Sequence, residues 1–247
     1  SSMLLDRTSL SSFEEWKLTA ATEGGVALLD KSKDWTSFDV VAKMRGLTRI
    51  KKVGHAGTLD PLATGLLILC FGKFTKKISE YQDAQKQYEA VIRFGATTKT
   101  DDSEAPEENF ISTKYLTDDL ITFACQQFVG DIEQIPPMFS AIKKDGQPLY
   151  KLARKGIELD LPPRPVSIYS IQITKIDIPY CHITIDCSKG TYIRSLARDI
   201  GALLGCGGYL AALRRTAIGE FRVENAVTVQ EIMEQVQGIN AAATDKI

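Results

Sequence analysis

The chain has 247 residues, 44% of them apolar and 25% charged, and a formal net charge of −1. That is globular composition, enough for one large domain, and bulk charge alone marks it neither for nucleic acid nor for a membrane surface. No apolar run reaches the length of a membrane span, and the N-terminal stretch lacks the apolar core of a secretory signal. Five cysteines, Cys70, Cys125, Cys181, Cys187 and Cys206, form no CxxC pair and sit among apolar residues. They read as buried thiols of a reducing, cytoplasmic protein. Two histidines cannot supply a zinc set with conventional spacing.

Residues 1–24 carry no obvious pattern and read as a short disordered arm. "GVALLD" (25–30) is a short buried strand. "TSFDVVAKMRGL" opens with Thr36 and places Asp39 where a capping box needs an acid, and Phe38, Val41 and Ala42 suggest its apolar stripe. "GLLILCF" (65–71) is apolar throughout, as in a central strand covered on both faces. "YEAVIRF" (88–94) alternates, so Tyr88, Ala90, Ile92 and Phe94 share one face. A helix starts near Thr117 and turns Leu120, Ile121, Ala124 and Phe128 inward. "VSIYSIQITKIDI" (166–178) and "CHITIDC" (181–187) are strands with a turn at Pro179-Tyr180. "TYIRSLARDIGALLG" (191–205) is an amphipathic helix with Tyr192, Ile193, Leu196, Ile200, Leu203 and Leu204 inward, and with Arg194 and Arg198 together on the opposite face. Thr228 and Glu231 form a second capping box. Strands and helices mix without regular βαβ alternation, which predicts an α+β fold with a mostly antiparallel, mixed central sheet flanked by helices and loops.

Charge is segregated. Lys43, Arg45, Arg49, Lys51 and Lys52 crowd residues 43–52, five more basic residues lie in 143–155, and acid gathers in 101–108. A neutral total therefore still permits one basic face. The stretch 135–165 holds six of the nine prolines and little strand pattern. It reads as a long insertion, and such loops are more often functional than not.

"GHAGTLDPLATG" (54–65) is the most distinctive segment. It matches neither a P-loop nor a dinucleotide fingerprint, and no Ser-centred elbow is present. Its acid, Asp60, has no second carboxylate nearby, the next downstream being Glu80. Asp60 is a lone nucleophile or a structural cap, and spacing leaves both open.

The same segment closely resembles the signature of TruB-type tRNA pseudouridine synthases. Collinear stretches extend the resemblance over about residues 25–235: "GVALLDKSKDWTSFDVV", "KQYEAVIRFGATTKTDD", "GDIEQIPPMFSAIKKDGQPLYKLARKGIE", "CSKGTYIRSLARDIG" and "LGCGGYLAALRRTAIGEF". The resemblance implies the pseudouridine synthase fold and isomerisation of a flipped-out uridine in the T-arm loop of tRNA, without metal or redox cofactor. It assigns three catalytic residues: Asp60 as nucleophile, Arg194 as the arginine that pairs with it, and Tyr88 as the tyrosine that stacks on the base and takes part in the proton transfer. It makes His55, Tyr192 and Leu213 substrate-binding residues. Lys31, Lys51, Lys52, Lys143, Lys151 and Arg154 become candidate RNA backbone contacts. The alternatives it leaves are a tRNA-binding folding chaperone and modification of T-loop-like hairpins in other RNAs.

The organisation expected from this is an arm at 1–24, a catalytic domain at 25–240 with an RNA-gripping insertion at 135–165, and a tail at 241–247 without the PUA-type domain that many relatives carry. A monomer acting on tRNA, with no membrane attachment and no obligatory protein partner, is the expected form. The sequence departs from the family's opening Asp-Lys-Pro-x-Gly at Ser32 and Asp34, and Lys99 stands where an acid is common.

Overall fold

The computed structural model describes residues 3–139, 143–144, 147–148, 151 and 161–245. The chain divides into two compact units, residues 1–86 with 214–247, and residues 87–213. The α+β class is as expected; the boundary at residue 24 is not.

In the first unit, β1 (Leu4–Leu5) runs parallel to β2 (Gly25–Lys31), and α1 (Phe13–Glu23) connects them. Residues 3–24 are therefore no disordered arm. Phe13, Trp16 and Ala20 recur at three- and four-residue spacing and are buried, and the Trp16 indole meets Phe71 edge-on at 5.1 Å. Arg7 pairs with Glu231 at 2.8 Å, which ties the arm to the last helix.

Helix α2 (Ser37–Thr48) begins at the capping box of Thr36 and Asp39. Its buried face is Ser37, Val40, Val41, Met44 and Thr48. Phe38 and Ala42, expected inside, face out, and the buried stripe runs one residue earlier, through Ser37, Val40 and Val41. Strand β3 (Val53–His55) pairs antiparallel with β4 (Thr64–Phe71). Strand β4 is covered on both faces and also pairs antiparallel with β2, in register from Gly25↔Phe71 to Lys31↔Gly65. Helix α3 (Ile78–Asp83) follows.

In the second unit, β5 (Lys86–Phe94, whose first residue belongs to the first unit) buries Tyr88, Ala90, Ile92 and Phe94 on one face, as its alternation predicts. Thr117 caps α4 (Asp118–Gln126), whose buried stripe is Ile121, Ala124 and Cys125. Leu120, expected inside, is exposed. Strand β6 (Gly130–Gln134) pairs antiparallel with β9 (Arg164–Asp177), and β9 with β10 (Tyr180–Cys187), which neighbours β5. Within the expected insertion, β7 (Lys143–Lys144) and β8 (Gln147–Pro148) form a short antiparallel pair. Helix α5 (Ile193–Leu204) packs Ile193, Leu196 and Ile200 into the apolar cluster of this unit, while Leu203 is exposed.

Strand β11 (Gly208–Ile218) contributes to both units. Its second half lies parallel to β4 through Arg214↔Thr64 and Arg215↔Gly65, and then pairs with β12 (Phe221–Arg222). The capping box of Thr228 and Glu231 starts α6 (Val229–Asp245), which runs into the residues expected as a tail. All five cysteines are buried free thiols. Among the described residues, no helix is long and apolar enough to cross a membrane.

Candidate active site

The chain leaves the sheet after β3, where the Ala56 amide donates to the Ile68 carbonyl at 2.9 Å, and rejoins it at Thr64. Between these points Leu59, Leu62 and Ala63 are buried, and the half-buried Asp60 stands among them. Burying each leucine contributes roughly 1.5–3 kcal/mol, so apolar anchors hold an irregular segment in place. The Ala63 amide donates to the Asp60 carbonyl at 2.9 Å and closes a turn beneath the carboxylate.

Main-chain groups of this loop are tied to surrounding elements. The Ser37 hydroxyl accepts from the Leu59 amide at 2.9 Å and donates to the Leu59 carbonyl at 3.3 Å. The Asp34 amide donates to the Pro61 carbonyl at 2.7 Å. Arg215, 2% exposed, donates to the carbonyls of Leu66 at 2.8 Å and Gly57 at 3.1 Å. Gly65 has φ +108°, and a Cβ there would stand 2.2 Å from the Arg215 carbonyl oxygen, so only glycine lets β11 approach so closely.

Lys31 is a correction. Expected on the RNA backbone, it is 1% exposed. Its ammonium donates to the carbonyls of Ser32 at 2.9 Å, Trp35 at 2.5 Å and Pro61 at 3.5 Å. Burial pulls its pKa down to about 8, against the opposing charges of Asp60, Asp34 and Asp39. An amine in the interior needs acceptors, and the loop at Ser32–Trp35, where the sequence departs from the family pattern, supplies them as carbonyls. His55 is half-buried, and burial together with the Arg215 charge lowers its pKa, which favours neutral imidazole.

The second unit holds the other assigned residues. Tyr88 is 9% exposed and belongs to the apolar cluster against which Leu213 packs. Arg194 lies on α5, the helix whose opposite side feeds that cluster, and is only 6% exposed. It donates to the carbonyls of Phe139 at 2.7 Å and Thr100 at 3.2 Å. Arg198 pairs with Asp101 at 3.1 Å and donates to the Ile135 carbonyl at 2.8 Å. Main-chain carbonyls of Thr100, Ile135 and Phe139 thus cover buried Arg194 and meet part-exposed Arg198 on this face. Half-buried Tyr192 sits at the helix N-cap, its main chain bracketed by the buried amide of Gln134: its amide donates to Gln134 Oε1 at 2.9 Å, and Gln134 Nε2 donates back to its carbonyl at 3.2 Å.

Of the remaining basic candidates, Lys51, Lys52 and Lys151 are exposed, the backbone of Lys143 lies in β7, and Arg154 falls outside the described residues. Arg45 is tied to the carbonyls of Lys51 and Val53. Sequence reasoning missed Ser37, Gln134 and Arg215. A usable signal existed only for Arg215, a charge inside the otherwise strand-like "LAALRRTAI".

Residues 45–193 match the family described as TruB family pseudouridylate synthase (N terminal domain), and residues 194–246 match tRNA pseudouridylate synthase B C-terminal domain. The chain is 48% identical over 215 residues to a tRNA pseudouridine synthase B of Cupriavidus metallidurans, covering 85% of this chain and 68% of that one. It is 46% identical over 222 residues to a tRNA pseudouridine synthase B of Flavobacterium johnsoniae, covering 87% and 97%. Among solved structures it resembles one chain of a Cbf5-Nop10-Gar1 complex, with TM-score 0.65 and 29% identity, over 83% of this chain and about half, 52%, of that one. The chain belongs to the TruB family of pseudouridylate synthases.

Proposed function

We propose that this chain isomerises uridine to pseudouridine in the T-arm loop of tRNA, acting as a monomer without an obligatory protein partner, metal or redox cofactor. The observation that carries the reading is Asp60, half-buried in an apolar, main-chain-anchored loop, in a chain nearly half identical to proteins named tRNA pseudouridine synthase B. In the reaction the bond from ribose C1′ to uracil N1 breaks, the base turns, and a bond from C1′ to C5 forms; C5 loses its proton and N1 gains one. No electrons leave the substrate.

Asp60 is the nucleophile and must be ionised to act. Arg194 supplies the cation that favours the carboxylate form. Tyr88 stacks on the extruded base, and Tyr192 and Leu213 line its pocket with apolar surface, because a base inside a stack cannot be reached. His55 holds the unpaired loop, and Lys51, Lys52, Lys143, Lys151 and Arg154 track phosphates. Lys31 is left out of that set, since its ammonium is committed to carbonyls. The RNA-gripping insertion proposed is residues 135–165.

The test is release of tritium from a T-arm stem-loop labelled at uridine C5, without added metal. Release that requires both Asp60 and the single target uridine supports the reading. Tight binding and refolding of the hairpin without release replaces it with a folding chaperone.

A further inference from the structure

Arg215 is a buried cation whose hydrogen-bond partners among the described residues are two main-chain carbonyls, at Gly57 and Leu66. Burying a guanidinium is costly unless its donors are satisfied, and carbonyls offset that cost less well than a carboxylate. The two carbonyls stand on either side of Asp60 in the chain. A planar guanidinium fixes the separation of its acceptors, which a lysine ammonium on a flexible stem cannot do. Inside that span, Ser37 grips both main-chain groups of Leu59, the residue before Asp60. Gly57 and Gly65 take φ of +113° and +108° and let the backbone meet Arg215. Three anchor points, at 57, 59 and 66, thus hold the loop from two different elements, α2 and β11.

We propose that Arg215 and Ser37 are positioning residues: they set the rate of the chemical step by fixing the main chain around Asp60, and they do so without touching the RNA. This rests on the isomerase reading above. Displacing a reacting group by about 1 Å can cost on the order of 100-fold in rate while leaving binding intact.

The experiment compares Arg215→Lys and Ser37→Ala with the wild type, on the full chain and the tritiated T-arm stem-loop. Single-turnover rate at saturating protein and hairpin dissociation constant are measured separately, and cooperative thermal unfolding reports the fold. The expected result for Arg215→Lys is a rate lowered by about 10- to 100-fold, with affinity unchanged within a few fold. Ser37→Ala should lower the rate by about 10-fold by the same route. A purely structural role would lower the unfolding temperature and leave the saturated rate of the folded fraction alone, which overturns the proposal. Weakened affinity with an unchanged saturated rate overturns it too. If Arg215→Lys does not fold, Ser37→Ala decides, because loss of one hydroxyl leaves the packing of α2 in place. An active wild type with unaffected variants sinks this inference alone; a wild type that binds the hairpin but releases nothing sinks the isomerase reading and this inference with it.

Discussion

Arg194 donates to the main-chain carbonyl of Phe139 at 2.7 Å, a contact fifty-five residues apart in the chain. Together with the bonds from Ser195 and Arg198 to the Ile135 carbonyl, it fastens the start of the expected RNA-gripping insertion to α5. Arg194→Ala would leave the carbonyls of Phe139 and Thr100 without this donor. Both acceptors are part-buried, so each lies toward the low end of the roughly 1–3 kcal/mol for an unpaired buried acceptor, and a loss of about 2–4 kcal/mol in urea denaturation is expected. Arg198→Ala should cost about 1 kcal/mol or less, because its side chain is 26% exposed and its pairing is screened. Equal costs for the two variants would contradict the burial difference.

Two glycines give predictions of opposite sign. At Gly65 an added methyl meets the Arg215 backbone at 2.2 Å in a left-handed conformation. Neither backbone can yield without breaking the β4–β11 pairing, so Gly65→Ala should cost at least about 3 kcal/mol, or prevent folding. Gly46 lies inside α2, exposed, with nothing within 4 Å of its added Cβ. Gly46→Ala should stabilise by about 0.5–1 kcal/mol through helix propensity and chain entropy. Thermal unfolding of the two variants beside the wild type checks both.

The sequence made the central strands legible because their patterns are extreme. The unbroken apolar run of β4 and the alternation of β5 each admit one reading. The helices were less legible. The periodicity of α5 is right for Ile193, Leu196 and Ile200 and puts Arg194 and Arg198 on the opposite face, but a helical pattern cannot say that segments distant in sequence will meet that face. At α2 the capping box was visible, yet the stripe was assigned one residue out of phase, which put Phe38 inside. Asp60 was noticed for its isolation; its role came from the family resemblance. Lys31 was misread for a related reason: nothing local marks a lysine whose acceptors are loop carbonyls, one of them thirty residues away at Pro61. Gln134 and Ser37 act on main-chain atoms, which leave no signature in side-chain sequence.

The N-terminal residues make a clear test of whether α1 belongs to the core. Trp16 is 3% exposed, packs against Phe13 and Phe71, and donates its indole N–H to the Met3 carbonyl at 3.0 Å. Trp16→Ala should lower stability by about 3–5 kcal/mol, the usual range for truncating a buried aromatic. Leu18→Ala, on the same helix but 69% exposed, should change it by less than about 0.5 kcal/mol. Both follow from urea midpoints, and a silent Trp16→Ala would return residues 3–24 to the status of a loose arm.

Lys31 gives a pH-dependent prediction. Burial lowers its pKa from the ordinary value near 10.5 to about 8. Below pH 8 the amine is charged in both folded and unfolded chains. Between 8 and 10.5 the unfolded chain still holds the proton and the folded chain has lost it. The unfolded state then binds more protons, so stability from this group rises with pH across that window and is lost again as pH falls through 8. Lys31→Met removes the titration, and it leaves the carbonyls of Ser32, Trp35 and Pro61 without this donor. The variant should be less stable at every pH. The gap between wild type and variant should widen from pH 8 to pH 10, by on the order of 1–3 kcal/mol in urea denaturation at matched ionic strength. A gap that stays constant would mean that the three carbonyls hold the proton through the whole range, and that Lys31 anchors the Asp60 loop as a permanent cation.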